Sequence, residues 1–252
     1  MSGRRLGPLL GGLLFLALWA ALASRLPAVL LPSPLEVLES AWNARSDLAS
    51  AAWMTGRAAL SGLLIATTLG LVGGILFLRS RWLEAAFYPY ALLVQTTPIV
   101  AVAPLLVVWL GYGLPVAVAT ATIAAFFPVL TAADVGLRAT EPEQLELLRL
   151  YKAGFLSTLW KLRLPAALPY LFAGLRTAAG LSVIGAIVGE FVGSNGLPPS
   201  LGYLVLRAAR TAETGLSVAA VLTASALSLA MHAAVRLAER RVIGRWHAGG
   251  MG

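Results

Sequence analysis

Long apolar runs, separated by short polar stretches, dominate the chain. Most of them reach the roughly 17 to 25 residues that an α-helix needs to cross the hydrocarbon core of a bilayer. Strand-like alternation is absent, and backbone groups in lipid must be satisfied within their own segment, so we expect helices. About six transmembrane helices are predicted, over residues 6–22, 58–78, 85–110, 114–133, 177–188 (extended to 193 if Glu190 is accommodated) and 216–235.

Composition agrees with this pattern. Of the 252 residues, 59% are hydrophobic and 12% are charged, and the mean hydropathy of +0.83 leaves little water-facing surface. The sequence therefore predicts an all-α integral membrane protein that crosses the lipid bilayer several times. Three prolines after the first run, Pro27, Pro32 and Pro34, favour an external loop with one short interfacial helix over 36–44, starting near Ser33.

Positive charges are distributed unevenly between the two sides of the predicted bundle. If the N-terminus is cytoplasmic, five of the 19 Lys and Arg residues fall outside, namely Arg25, Arg45, Arg57, Arg207 and Arg210. The remaining fourteen fall inside, which is the positive-inside bias and places the polar segment 138–165 in the cytoplasm. The net charge of +8 follows from this orientation, and we expect no nucleic-acid partner. A cleaved signal peptide ending near residue 23 is an alternative for the first run, with the same loop orientation.

The chain lacks the residues that several kinds of chemistry require. The chain has no cysteine and two histidines, His232 and His247, which are too few for a metal cluster. No Gly-x-x-x-x-Gly-Lys loop offers a phosphate site, and no Gly-x-Ser-x-Gly elbow offers a nucleophile. We expect neither cofactor nor metal in this chain and no enzymatic activity, so energy must come from another chain or from an ion gradient.

One polar stretch interrupts the apolar pattern, "EQLELLRLYKAGFLSTLWKLRLPAALPY" at 143–170. Pro142 suits a first helical turn, and Leu145, Leu148 and Tyr151 recur on one face. A second short helix is predicted to end at the Leu-Pro pair 164–165, with one apolar face that holds Phe155, Leu156, Leu159 and Trp160. Two short amphipathic helices could lie on the membrane surface or dock into a partner protein.

This stretch resembles the "EAA" loop of permease subunits of ATP-binding-cassette importers, in which Glu-Ala-Ala-x-x-x-Gly precedes a short helix and Ile/Leu-Pro. Glu146 is followed by Lys152 and then by "WKLRLPAALPYLFAGLR". The resemblance extends over about 60–206 through "VQTTPIVAVAPLLVVWLGYG", "FFPVL" and "VIGAIVGEFVGSNGLPPSLGYL". The chain departs from the motif at Leu147 and Leu148, where alanine is usual, and at Lys152, where glycine is usual and Gly154 follows.

The chain is thus identified as a member of the binding-protein-dependent type I permeases, in the branch for nitrate, sulfonates, taurine, riboflavin or the thiamine pyrimidine precursor. The resemblance implies a prokaryotic plasma-membrane protein with a second permease subunit (a homodimer), two cytoplasmic ATP-binding subunits that carry ATP and Mg²⁺, and an external solute-binding protein. It implies a first helix and external loop at 1–57, a permease domain at 58–237 and a cytoplasmic tail at 238–252. The ATPase-coupling residues would be Glu146, Leu148, Tyr151, Lys152, Gly154, Phe155 and Leu156.

Polar residues within the spans mark candidate positions on the translocation path. Gln95, Thr96 and Thr97 lie beside a kink predicted at Pro98 and Pro104, and they could line the path or hydrogen-bond a neighbouring helix.

Phe127 could stack on a solute or anchor the membrane interface. Glu190 could face the path or pair with Arg207 or Arg210. Small residues four apart favour close helix packing, which we expect at a dimer centre or between helices, at Gly185, Gly189 and Gly193.

Two other classes remain open. An ion-coupled secondary transporter would need coupling-ion ligands, which the isolated Asp134 and Glu190 supply poorly. A membrane scaffold would need no polar residue in its spans. Around the polar loop the chain is more similar to the vitamin-precursor branch, so we predict a pyrimidine or flavin-like solute, with sulfonate or nitrate as the alternative.

Overall fold

The computed structural model describes residues 3–194 and 199–247, and every regular element in those ranges is a helix. The predicted all-α class is confirmed. The helices are α1 (Gly3–Ala23), α2 (Pro34–Asn43), α3 (Arg45–Arg79), α4 (Arg81–Thr96), α5 (Ile99–Leu110), α6 (Leu114–Arg138), α7 (Pro142–Leu150), α8 (Phe155–Thr158), α9 (Leu164–Gly193), α10 (Leu201–Arg210) and α11 (Thr214–His247), with a π-helical turn at Leu159–Arg163 between α8 and α9.

Four segments in the described part of the chain are long and apolar enough to cross a membrane: α3, α6, α8 through α9, and α11. A fifth results if α4 and α5, which meet at an angle of 101°, count as one broken span. The shorter apolar helix within α1, Leu10–Ala23, corresponds to the first predicted run. The multi-span class is therefore confirmed, and the count of six stays a prediction.

Contacts between α3 and α6 show that these two helices run parallel. Gly62 of α3 faces Ala121 of α6. Further along both helices, Gly74 of α3 faces Ala133 of α6. The chain leaves α3 at one end of the bundle and enters α6 at the other, so the α4–α5 pair must carry it back across. We call the end that holds α7 and α8 the loop end, and the other the opposite end.

Helix α9 runs antiparallel to α6. Gly136 near the end of α6 packs on Ala167 near the start of α9, and the later glycines of α9 pack on the start of α6. A Cβ placed on Gly185 would lie 2.6 Å from the carbonyl oxygen of Thr120 and 2.8 Å from the Cα of Ala121. The backbones therefore touch, as small residues allow.

The second helix of the loop does not end at the Leu-Pro pair, which corrects the sequence prediction. Residues Phe155 to Gly193 form one continuous helical segment through the π-helical turn. In that turn the N–H of Leu164 donates to the carbonyl of Leu159, five residues back. Pro165 has no N–H to give, and the widened turn accommodates it without breaking the helix.

Proline has different effects at the two positions in the third predicted span. The chain breaks at Pro98, which precedes α5, while Pro104 lies inside α5 without interrupting it. The kink predicted beside Gln95–Thr97 is confirmed at the first proline, where α4 and α5 meet at 101°, and stays a prediction at the second. The short helix after the first apolar run is confirmed: the Ser33 hydroxyl accepts from the Glu36 N–H, and the Glu36 carboxylate accepts from the Ser33 N–H at 2.7 Å. Its external position stays a prediction.

Two of the predicted domain limits fall within helices. Helix α3 crosses the limit between residues 57 and 58 without interruption, and α11 covers the first part of the predicted tail, to His247. Residues 248–252 of that tail lie outside the described residues, as do residues 195–198 of the "GSNGLPPSLGYL" stretch.

Candidate functional site

The polar stretch folds as a compact hairpin of α7 and α8 at the loop end. Helix α7 begins at Pro142 and ends in a two-bond motif, in which the N–H of Lys152 donates to the carbonyl of Arg149 at 2.9 Å and the N–H of Ala153 to that of Leu148 at 2.9 Å. This is the Schellman arrangement, which requires a left-handed residue directly after the helix.

Lys152 supplies that left-handed residue, with φ of +51°. The position is the one where the EAA motif has glycine, and the backbone explains why, since glycine adopts positive φ without steric cost. Gly154, by contrast, is extended, with φ of −71°, and does not take over this role. The departure at Lys152 therefore keeps the fold of the motif and places strain on its turn.

The exposed apolar face of the hairpin differs from the face that the sequence pattern indicated. Leu148 is half-buried beneath α7 together with Leu145. The most exposed apolar side chains from α7 through α8 are instead Leu147 (54% exposed), Leu150 (81%), Tyr151 (77%) and Leu156 (67%), and we call these four the loop surface. Tyr151 and Leu156 of the predicted coupling set belong to it, and Leu148 does not.

The other predicted coupling residues surround this surface. Glu146, Lys152 and Gly154 are exposed. Phe155 lies under the guanidinium of Arg79, with the Arg79 Cζ 5.7 Å from the ring centroid, so it ties the hairpin to the end of α3.

Both ends of the hairpin meet at the last turn of α6. On the return side, Arg163 Nη1 donates to the carbonyl of Leu137 at 3.0 Å. On the departing side, Arg138 Nη2 contacts Glu84 Oε2 at 2.8 Å, and Arg138 Nε donates to Asp134 Oδ1 at 2.8 Å. Glu84 belongs to the first turn of α4, so this ion-pair cluster joins the hairpin to the bent helix pair.

The polar residues at the bend are exposed on the surface of the single chain. The hydroxyls of Thr96 and Thr97 donate to the carbonyl of Leu93 at 3.1 and 2.7 Å, so they bond within their own helix and not to a neighbour. The Gln95 side chain is exposed as well. Phe127 is half-buried against the Tyr88 ring, 6.2 Å between centroids, nearer to the loop end.

Among the predicted path residues, Glu190 is the one that is buried and hydrogen-bonded to other helices. It is 6% exposed; its Oε2 accepts from the Thr55 hydroxyl at 3.0 Å and from the Gly202 N–H at 2.9 Å. The Thr55 hydroxyl oxygen in turn accepts from the Leu201 N–H at 3.0 Å. Glu190 therefore fixes the N-terminus of α10 to α3 and α9, where a negative charge also complements the helix dipole.

These bonds replace the ion pair that we considered for Glu190. Arg207 and Arg210 are exposed near the end of α10, whereas Glu190 lies at its start. A cavity of about 30 Å³, large enough for a water molecule, adjoins the carboxylate between Met54 and Gly113. Glu190 lies at the opposite end, so the structure does not bring it together with Gln95–Thr97 and Phe127 in one site.

Gly185, Gly189 and Gly193 all pack against α6 of the same chain. Ala186 between them is fully buried as well. The stripe thus lies inside the bundle, and a surface for a second subunit has to be sought on exposed helices.

Sequence reasoning missed three residues that organise the chain: Thr55, Glu84 and Gly202. Glu84 and Thr55 lie in or beside predicted apolar runs, where an isolated charge or hydroxyl near a span end is unremarkable. Each acquires its role from a residue more than 50 positions away, Arg138 for Glu84 and Glu190 for Thr55. The i, i+4 spacing of Asp134 and Arg138 was the one local signal.

Comparison with known proteins agrees with this architecture. Residues 62–244 match the family described as binding-protein-dependent transport system inner membrane component, and the chain belongs to that family. A probable ABC transporter permease protein of Haemophilus influenzae is 35% identical over 92% of this chain and 94% of its own length. The riboflavin transport system permease protein RibX of Chloroflexus aurantiacus is 35% identical over 94% of this chain and 88% of its own length.

A formylaminopyrimidine transport permease, ThiX of Halalkalibacterium halodurans, is 32% identical over 82% of each chain. Among solved structures, a chain of the MetNI methionine ABC transporter in an inward-facing conformation has the same fold, with a TM-score of 0.61 and 19% identity over 75% of this chain and 95% of that chain. The protein is accordingly a multi-span helical permease subunit of an ABC importer, a transport protein rather than an enzyme. The secondary-transporter and scaffold alternatives are set aside.

Proposed function

We propose that this chain forms the translocation pathway of an ATP-driven importer for a small, flat heterocyclic solute of the riboflavin or thiamine-pyrimidine-precursor type. The observation that supports this solute class is the similarity to RibX and ThiX, at 35% and 32% identity over most of the chain. Taurine and sulfonate permeases of Escherichia coli are less similar, at 24% and 27%. A sulfonate permease of Bacillus subtilis at 30% keeps sulfonates as the alternative solute.

The coupling step is assigned to the loop surface. Leu147, Leu150, Tyr151 and Leu156 expose apolar side chains on a hairpin outside the long spans, where a groove of another protein could cover them. The hairpin is anchored at both ends to α6, so a push on it is delivered to the bundle as a rigid movement. Each of two ATP-binding subunits, which carry ATP and Mg²⁺, would take one such hairpin.

The loop end is assigned to the cytoplasm. Exposed arginines of α11 near this end, Arg236, Arg240 and Arg241, add to those of the hairpin region, in agreement with the positive-inside rule. A second copy of the chain completes the pathway, and a solute-binding protein delivers the solute at the opposite end, in the plasma membrane of a prokaryote.

The coupling assignment is tested with Leu150→Glu in the assembled transporter. A buried carboxylate in the groove should separate ATP hydrolysis from uptake, and we expect at least tenfold less solute imported per ATP hydrolysed. Insertion should be unchanged, because Leu150 lies outside the spans. Arg149→Gln is the matched control, since it makes the same change in charge at the adjacent exposed position, off the apolar face. Normal coupling in Leu150→Glu would show that the loop surface is not the coupling element.

The solute class is tested separately, on the purified solute-binding protein that works with this chain. Calorimetric titration with riboflavin, formylaminopyrimidine, taurine, an alkane sulfonate and nitrate should give tight binding for one of the two heterocycles. Tight binding of a sulfonate or nitrate alone would overturn the solute proposal and leave the coupling assignment intact.

A further inference from the structure

The ion-pair cluster of Glu84, Asp134 and Arg138 joins three parts of the molecule at the loop end. Arg138 is the last residue of α6, and the hairpin begins shortly after it, at Pro142. Its guanidinium binds Asp134 on its own helix through Nε and Nη2, both at 2.8 Å, and Glu84 on α4 through Nη2 at 2.8 Å. All three side chains are partly shielded from solvent, at 29%, 15% and 27% exposure for Arg138, Asp134 and Glu84.

The geometry of this cluster gives the guanidinium a fixed direction. Asp134 lies one helical turn before Arg138 and holds the Nε edge of the planar group, which leaves Nη2 aimed at α4. An arginine held on two sides transmits displacement in a way that a freely rotating lysine ammonium does not. Arg163, bonded to the carbonyl of Leu137, places the returning end of the hairpin on the same turn.

The receiving element, α4, buries little of its own surface, and its apolar contacts with α3 and α6 come mainly from Leu83, Tyr88 and Ala91. Of its 16 residues, one is buried, Ala91. A cavity of about 400 Å³ with apolar walls separates part of α4 from α3 and α6, between Phe77, Phe87 and Phe126. A helix with so little buried surface can shift at low cost, so the anchored ion pair at its start contributes strongly to where it sits.

From these observations we infer that Arg138 is a positioning residue that passes movement of the hairpin to α4 through Glu84, and so to the bend at Gln95–Thr97. This inference rests on the proposed coupling role of the hairpin and adds the route by which the movement reaches the exposed polar residues of the bent pair. Asp134 orients Arg138 along this route, and Glu84 receives the displacement.

The test measures how readily a thiol at the bend reacts with a reagent, and it needs no knowledge of the solute. The chain has no cysteine, so a cysteine introduced at Gln95 is a unique thiol in each copy. In the complex with its ATP-binding subunits, the rate of maleimide labelling is measured with and without a non-hydrolysable ATP analogue. We expect at least a threefold change in rate with the analogue in the parent Q95C protein, and a ratio near one in Glu84→Gln and in Arg138→Gln.

Three controls separate positioning from a merely structural contribution. Arg176→Gln removes an ion pair between two other helices, that of Arg176 on α9 with Glu239 on α11, and should keep the nucleotide-dependent ratio. Arg81→Gln removes an exposed charge from the same turn of α4 as Glu84 and should keep it as well. The double variant Glu84→Gln/Arg138→Gln should be no worse than the more affected single variant, because one link cannot be broken twice.

Each outcome decides between the two hypotheses. If Leu150→Glu abolishes the nucleotide-dependent labelling while Glu84→Gln and Arg138→Gln retain it, the hairpin couples by another route and this inference fails alone. If Leu150→Glu retains full coupling, the proposed function of the hairpin fails. Additive effects of the two single variants, or equal losses in Arg176→Gln, would also overturn the positioning role.

Discussion

Helices α6 and α9 bury ten of 25 and eleven of 30 residues, whereas α4 buries one of 16 and α5 two of 12. The first pair is in contact through glycine and alanine, with backbones too close for any added methyl group at Gly185. The second pair presents bulky side chains, Phe87 and Tyr90 among them, to a cavity and to the exterior.

The difference separates a rigid frame, formed by α6 and α9, from a movable arm, formed by α4 and α5. Closely packed backbones have one arrangement, since small displacements produce overlaps that no rotamer can relieve. The α4–α5 pair is held by the ion-pair cluster at its start, by a small apolar cluster around Ala91 and Tyr88, and by a glycine-flanked turn at its end, so it can adopt more than one arrangement. Gly111 and Gly113 of that turn have φ of +76° and +98°, which favours glycine.

The largest loss of stability is expected when a methyl group is added between the two helices of the frame. Gly185→Ala places a Cβ against backbone atoms of α6, which cannot move aside, and should destabilise the folded chain by about 2–3 kcal/mol. Gly180→Ala on the same helix is the matched control, because its Cβ would meet the Ser228 hydroxyl at an ordinary 3.6 Å. Unfolding in mixed detergent micelles, followed by circular dichroism, gives both values. Similar losses at the two sites would refute the frame as the tighter region.

A smaller effect is expected from the polar contact that holds α10 to the frame. Thr55→Val removes a donor to Glu190 and the acceptor of the Leu201 N–H, and should cost about 1–3 kcal/mol. Hydrogen exchange at the Leu201 and Gly202 amides should accelerate. Thr122→Val, whose hydroxyl bonds only the Val118 carbonyl of its own helix, should change neither stability nor exchange. Unchanged exchange at the two amides in Thr55→Val would contradict the anchoring role of this contact.

The smallest effect concerns the hairpin that drives the arm. Lys152→Gly relieves a left-handed residue and should stabilise the turn after α7 by about 1 kcal/mol, equivalent to roughly fivefold slower exchange of the Ala153 amide. Ala153→Gly, at a residue without positive φ, is the control and should accelerate exchange, since glycine there adds only unfolded-state freedom. No slowing in Lys152→Gly would show that the strain is absorbed elsewhere.

Much of the fold could be predicted from the sequence. Apolar runs located α3, α6, α9 and α11, Ser33 with the prolines around it located α2, and Pro98 located the break between α4 and α5. Each of these signals is local: span length, capping chemistry and a missing N–H act within one or two turns. The Leu-Pro pair at 164–165 led to a wrong prediction of a helix end, because that prediction also used a local signal alone. A π-helical turn can accommodate a proline that would otherwise end a helix.

The candidate sites depended more on tertiary contacts. Apolar spacing selected Leu145, Leu148 and Tyr151 as one face of α7. Leu145 and Leu148 are half-buried, whereas Tyr151 is exposed together with Leu147 and Leu150. Periodicity identifies a face without identifying what lies beneath it. Glu190 stood out as a charge in a span, yet its donors come from residues 135 positions earlier and 12 positions later.

By itself, the sequence determined the multi-span helical class, most of the long helices and the position of the polar hairpin, because hydrophobicity, capping and proline act along the chain. The permease family followed from the resemblance of the polar loop to the EAA motif. The tertiary structure alone decided which glycines face which helix, that Arg138 reaches Glu84 rather than solvent, and that α4 stays loosely held. These depend on the register between helices far apart in sequence, and that register is set by the fit of many side chains at once.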